Sequence, residues 1–257
     1  MKNNFIRYYI SFETLLMREI RRFMRIGVQT LLAPFISNIL FLGIFAGLYY
    51  GDISRRSAYL HFITPGLITS AVIFSAYQNP VFSIVALKYL DTIKDFNYYP
   101  LKPFARMGAF VLAGAIRGIL VGFMTYLAAA VFAGFRIDNP LQFWAFAFAV
   151  SAVFSTAGYL SGLYLSSFEM SNLIVSLVLT PLVYLGGVFF DTAILPQWLQ
   201  AADSVNPLSA IIVISRHLYS ASGILPHTHS VILLVAATGA LFFAAYRATL
   251  KGIGIKI

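Results

Sequence analysis

The sequence predicts an all-α integral membrane protein with six transmembrane helices. Three observations carry that reading: 60% of the 257 residues are apolar, only 11% are charged, and uncharged runs of bilayer length recur along the chain. A soluble domain carries roughly 25% charge and at most about half apolar residues, so this composition excludes one. No Cys occurs, which removes disulfides and Cys-based metal or iron–sulfur sites from consideration.

The first element precedes the spans. Phe5, Tyr9, Phe12, Leu16, Ile20 and Phe23 recur at spacings of three and four, with Arg7, Arg18, Arg21, Arg22 and Arg25 elsewhere on the wheel. This amphipathic helix is expected to lie in the cytoplasmic interface, its arginines on anionic headgroups. It serves as a topogenic anchor, or its polar face also meets a cytoplasmic partner. The interleaving of basic and apolar residues is unlike a signal peptide, so the segment is expected to be retained.

A lone charge at mid-bilayer costs about 2.5–3.5 kcal/mol on insertion scales, so spans are read from one charge to the next. Span one falls at 28–50, between Arg25 and Asp52, and span two at 62–85, between Arg56 and Lys88. The loop that follows, 86–107, opens with ALKYLDTIKDF, read as a short helix over 86–97. Tyr89, Ile93 and Phe96 form one edge of it, while Lys88, Asp91, Lys94 and Asp95 form a mixed-charge edge; Pro100 and Pro103 stop it. Such a helix suits docking into a groove of another protein, with a solvated turn as the alternative.

Span three, 108–134, is interrupted only by Arg117, about nine residues in. Either that side chain snorkels toward the cytoplasm, or it clamps the bundle on carbonyls or Glu169, or it meets a substrate anion. Span four occupies 141–165 and span five 171–190.

The stretch 191–229 is too apolar for a solvated loop. LPQWLQAADSVNP, with Pro196 at a helix start and Asn206–Pro207 at the reversal, precedes the twelve residues LSAIIVISRHLY. Twelve helical residues rise about 18 Å, too little to cross and right for a re-entrant hairpin beside a pathway. Span six, 230–247, closes the set.

Thirteen Lys and Arg residues fall in the terminal and even-numbered connections and four, Arg55, Arg56, Arg136 and Arg216, on the other side, which places both termini in the cytoplasm. The net charge of +9 is accounted for by these boundary residues, so nucleic acid is not an expected partner. A single domain is expected, divided into 1–27, 28–190, 191–229 and 230–257.

Catalytic chemistry is absent from the motifs. There is no GxxxxGK[ST] phosphate loop and no GxSxG elbow, and neither His227 with His229 nor Ser215, His217 and Asp203 makes a convincing metal or nucleophile set.

Six spans, an amphipathic first helix, a cytoplasmic helix between spans two and three and a hairpin before span six together resemble the permease subunits of type-2 ABC exporters. The residues that carry the likeness are EIRRFMRIGVQTLLAPFI (19–36), FITPGLI (62–68), AIRGILVG (115–122) and, most specifically, GGVFF, LPQW, NPLS and the following Arg within 179–219. The resemblance implies a homodimer or pseudo-dimer of two permeases above two copies of a separate ATPase, which would hold the ATP and magnesium; no cofactor is expected in this chain. It implies a coupling role for Lys88, Tyr89, Asp91, Ile93, Lys94, Asp95 and Phe96, and an interface helix carrying Arg18, Arg21, Arg22 and Arg25. Spans one, two and five would line the pathway, and Gly186, Gly187, Trp198, Asn206, Pro207 and Arg216 would form its outer re-entrant gate. DFNYYPLKP (95–103) is more aromatic than the family pattern. The implied location is a bacterial inner membrane, and the implied cargo is lipid-like, glycan-linked or amphipathic and drug-like. A secondary transporter, a lipid-modifying membrane enzyme and a non-transporting assembly subunit are the rival readings.

Overall fold

The computed structural model describes residues 2–27, 31–48, 51–93, 101–220 and 228–254, and all regular structure among them is helical. In order come α1 (Lys2–Arg25), α2 (Ala33–Gly47), α3 (Ile53–Tyr89), α4 (Pro103–Ala133) and α5 (Pro140–Tyr164). α6 (Phe168–Ile174), a π-helical stretch (Val175–Leu179) and α7 (Thr180–Leu185) follow one another without a break. A short 3₁₀ turn (Thr192–Ile194) then leads to α8 (Gln197–Ser204), α9 (Pro207–Ser220) and α10 (Thr228–Lys251).

Among the described residues, four helical stretches are long and apolar enough to cross a bilayer: α3, Pro103–Val131 of α4, α5, and Phe168–Leu185. α2 is apolar but has 15 residues, a rise of about 22 Å, short of the roughly 30 Å hydrocarbon core. The expected span 28–50 takes in 28–30 and 49–50, which lie outside the described residues. α10 is a continuous helix of 24 residues.

α3 is the central post. Its side chains are buried nearly without interruption from Leu60 to Val85, with α4 and α5 packed along it. Small residues make that approach possible. Gly114, Gly118 and Gly122 recur every four residues on α4, and an added Cβ at Gly114 or Gly118 would lie 3.0 Å from the Ala76 or Val72 carbonyl oxygen. From α5, Ser151 and Ser155 donate to the carbonyls of Ala115 and Val111 at 2.9 and 2.8 Å, fastening the third helix to the second. Pro80 removes the N–H that would otherwise pair with the Ala76 carbonyl, and it is tolerated because neighbouring helices cover the gap.

Several boundaries differ from those expected. α3 starts at Ile53 and continues through Tyr89, so no separate helix begins at residue 86. Lys88 did not end the helix because its ammonium finds carbonyl partners on α5. The run expected as the end of span five is not helical beyond Leu185: the chain breaks at Gly186, and Gly187 adopts a left-handed φ of 85°, which a side chain disfavours. α5 and the pair α8 and α9 fall where the sequence puts span four and the two arms of the hairpin.

Candidate transport and coupling sites

A cavity of about 300 Å³ opens between α2, α3 and the end of α7. Asn38, Ser75, Gln78 and Tyr184 give it polar groups, and Phe41, Phe74 and Phe189 give it aromatic walls. Among the described residues, none that lines it is formally charged. Asn38 donates to the Thr125 hydroxyl at 2.9 Å, whereas Ser75 and Gln78 make no side-chain hydrogen bond among the described residues. A guest with hydroxyl, ether or amide groups would find hydrogen-bonding partners there, while an isolated ion would lose its hydration without a counter-charge.

On the side read as cytoplasmic, α3 ends at a turn. Lys88 Nζ donates to the carbonyl oxygens of Leu163 and Leu165 at 2.6 and 2.8 Å, capping the end of α5. Tyr89 and Leu90 project outward, 79% and 66% exposed. Asp91 follows the end of α3 with a left-handed φ of 53°, so the helix expected over 86–97 is interrupted there. Ile93 is 3% exposed and packs with Leu87, Leu163 and Phe110, which removes it from the outward edge assigned to it. The other three expected coupling residues, Lys94, Asp95 and Phe96, lie outside the described residues.

α1 packs against the bundle instead of presenting all its arginines outward. Its inward line is Leu15, Glu19 and Phe23, at helical spacings of four. Arg18, Arg21 and Arg25 are exposed, but Arg22 turns in. Fully buried Glu19 pairs with Arg18 and Arg22 at 2.9 and 3.1 Å and accepts a 2.6 Å hydrogen bond from Ser83 on α3. Arg22 also donates to the carbonyl and the side-chain oxygen of Asn79, both at 3.0 Å. A charge-satisfied joint therefore ties α1 to α3 beside Pro80. The helical wheel conceals it because Glu19 sits among arginines and reads as a solvated acid; the signal available was a single carboxylate on the apolar side of a basic helix.

Arg117 on α4 lies inside the bundle, 6% exposed, close enough to Arg22 for the two cations to repel. Glu169 is exposed at the start of α6, beside the Ser167 cap.

At the other end, Gly186, Gly187, Asn206, Pro207 and Arg216 do come together. Asn206 donates to the Leu182 carbonyl at 2.8 Å and caps α9 by accepting from the Leu208 N–H at 3.1 Å, while Pro207 opens α9. A Cβ on Gly186 would meet the first turn of α9, 3.1 Å from the Ser209 nitrogen. Arg216 donates to the carbonyls of Gly187, Val188 (3.3 Å) and Phe62 (3.2 Å), and its guanidinium lies 3.9 Å from the Phe62 ring centroid. Two of these carbonyls, those of Gly187 and Val188, follow the break in the helix, and the third belongs to α3. Trp198 is apart from this group, 71% exposed on α8. Burial pushes the Asp203 carboxyl above the usual carboxylate range, opposed by hydrogen bonds from Ser209 and Thr192. Ser215 is buried and donates to the Ile212 carbonyl of its own helix; His227, on which the dismissed metal pair depends, lies outside the described residues. Near the same end, a His61–Tyr219 hydrogen bond links α3 to α9, with Phe135 stacked on Tyr219 at 4.3 Å.

Comparison with known proteins identifies the family. The chain is 33% identical to the inner membrane transport permease YadH of Escherichia coli K12 over 255 residues, 97% of this chain and 98% of YadH. It is 28% identical to the daunorubicin resistance ABC transporter permease protein DrrB1 of Streptomyces coeruleorubidus over 204 residues, 74% of this chain and 67% of DrrB1. The family model described as ABC-2 type transporter matches residues 10–219, and the chain accordingly belongs to the ABC-2 type transporter permeases.

Proposed function

We propose that this permease is the membrane half of an ATP-driven exporter. Two copies would form the pathway, each with six spans and cytoplasmic termini, in a bacterial inner membrane. Permeases of this family work with separate ABC ATPase subunits, and two such subunits would bind below the α3–α4 turn. Tyr89, Leu90 and Asp91 would be the described part of that contact, and α1, through Arg18, Arg21 and Arg25, would present its outer face to headgroups or to the ATPase. ATP-driven closure of the ATPases would push on the turn and favour one of two packed arrangements of the spans. Arg216 and the Gly186–Gly187 break would close the outer mouth. The chain would act as one transmembrane domain without a cofactor of its own.

The observation that carries this reading is the uncharged, aromatic-walled cavity framed by α2, α3 and α7, the helices corresponding to spans one, two and five. Its lining favours an amphipathic lipid-like, glycan-linked or drug-like cargo over an ion. The name of the relative associated with daunorubicin resistance fits such a cargo.

Co-expression of the tagged permease with an ABC ATPase encoded beside it tests the proposal. Co-purification, with vanadate-sensitive hydrolysis that requires both proteins, is the expected result. A solitary chain that moves cargo on a proton gradient would instead make it a secondary transporter.

A further inference from the structure

The segment after α10 meets the coupling turn. α10 closes with paired bonds, Gly252 N–H to the Thr249 carbonyl and Ile253 N–H to the Ala248 carbonyl, both 3.1 Å, and with Gly252 at φ 69°. The reversed chain buries Ile253 against the cluster that holds Ile93 and Leu163. It then sets Gly254, φ 72°, directly on the end of α5. A Cβ there would overlap the Leu163 carbonyl and sit 3.0 Å from Lys88 Nζ, so glycine is required both by the backbone and by the space.

Three helix ends thus converge on one ammonium. Lys88 belongs to the last turn of α3, its two carbonyl acceptors belong to α5, and Gly254 follows α10 and covers them. Charge-assisted bonds to the orphan carbonyls of a helix C-terminus are among the stronger ones available. On the far side of the exposed pair Tyr89 and Leu90, Ile93 is anchored in the same cluster.

From this geometry we infer that Lys88 and Gly254 are positioning residues that fix the coupling turn to α5 and α10, so that a push on Tyr89 and Leu90 moves three helices together instead of bending the turn. The role in coupling rests on the exporter reading above; the clasp itself does not.

The test exploits the absence of Cys from the chain. A spin label at Leu90→Cys, in nanodiscs of phosphatidylethanolamine and phosphatidylglycerol, reports turn mobility on the permease alone. Gly254→Val and Lys88→Met should each shift the spectrum from immobilised to mobile, and Lys88→Arg, which keeps donors for both carbonyls, should restore it. Gly134→Ala serves as the strain control, since Gly134 has φ 64° but nothing within 4 Å of an added Cβ; it should leave the spectrum unchanged. In the complex with its ATPase, the clasp variants should lower permease-dependent hydrolysis several-fold with the KM for ATP unchanged. An immobile label in Lys88→Met, which keeps its backbone environment even if Gly254→Val fails to insert, overturns the clasp. Full hydrolysis despite a mobile label overturns its role in coupling. Hydrolysis that never depends on the permease, in any variant, defeats the exporter reading and leaves the spectra to decide the clasp.

Discussion

The two ends of the bundle both place a partly buried guanidinium against backbone carbonyls, yet they are built differently. At the joint of α1 with α3, read as the inner one, Arg22 shares its charge with Glu19, which is itself held by Arg18 and Ser83. At the joint read as outer, Arg216 meets carbonyls and the Phe62 ring, and Asp191 acts on it only through its field. An ion-paired joint is strong only while both charges are present, because removing one strands the other in low dielectric. A joint made of one cation and dipoles leaves no stranded charge when the cation is removed. The inner joint is therefore suited to permanence and the outer one to release.

The largest expected effect follows from breaking the inner joint. Glu19→Ala leaves Arg22 without its carboxylate and should destabilise the protein by about 3–5 kcal/mol, read as thermal unfolding of the detergent-solubilised chain. An unchanged midpoint would remove the contrast between the ends. Next, Arg216→Met frees three carbonyls and should cost about 1.5–3 kcal/mol, expressed as faster amide exchange around α9 and residues 187–190 while α1 stays protected. Exchange that rises equally in α1 would mean that the two joints are one cooperative unit. Gln78→Leu, between the joints, should change stability by no more than about 0.5 kcal/mol while altering which amphipathic cargo stimulates hydrolysis, since its side chain faces the cavity without a partner. The smallest effect concerns pH. Because burial holds the folded Asp203 above its ordinary value of 3.8, its protonated form stabilises the fold at low pH, and that contribution fades as pH rises through the folded value. Asp203→Asn should flatten this part of a stability-versus-pH curve.

How much of this was legible depends on the kind of residue involved. α5, expected at 141–165 and observed as Pro140–Tyr164, is an uncharged run with a Pro at its start, and both signals are local. The hairpin arms were marked just as locally by Pro196, Asn206 and Pro207. What failed depends on contacts distant in sequence. Lys88 looked like the charge that ends a span, but carbonyls 75 and 77 residues away let the helix continue. Ile93 looked like the apolar edge of a docking helix, whereas its neighbours Leu163 and Ile253 bury it. Glu19 drew no reading of its own, because the Ser83 hydroxyl that joins it to α3 is 64 residues on. Gly186 and Gly187 were assigned to the gate, but an unbroken apolar run through Phe190 concealed that they also end the helix.

The missing rung at Pro80 has a mechanical consequence. From Pro80 to Tyr89 is about 13 Å of helix, so a tilt of about 10° at that pivot would carry the C-terminal tip of α3 sideways by about 2 Å without rupturing a backbone bond. The side chain gripping the pivot is Arg22, bonded to Asn79 one residue earlier. The first helix of the chain is thus placed to set the stiffness of the lever on which an ATPase would press.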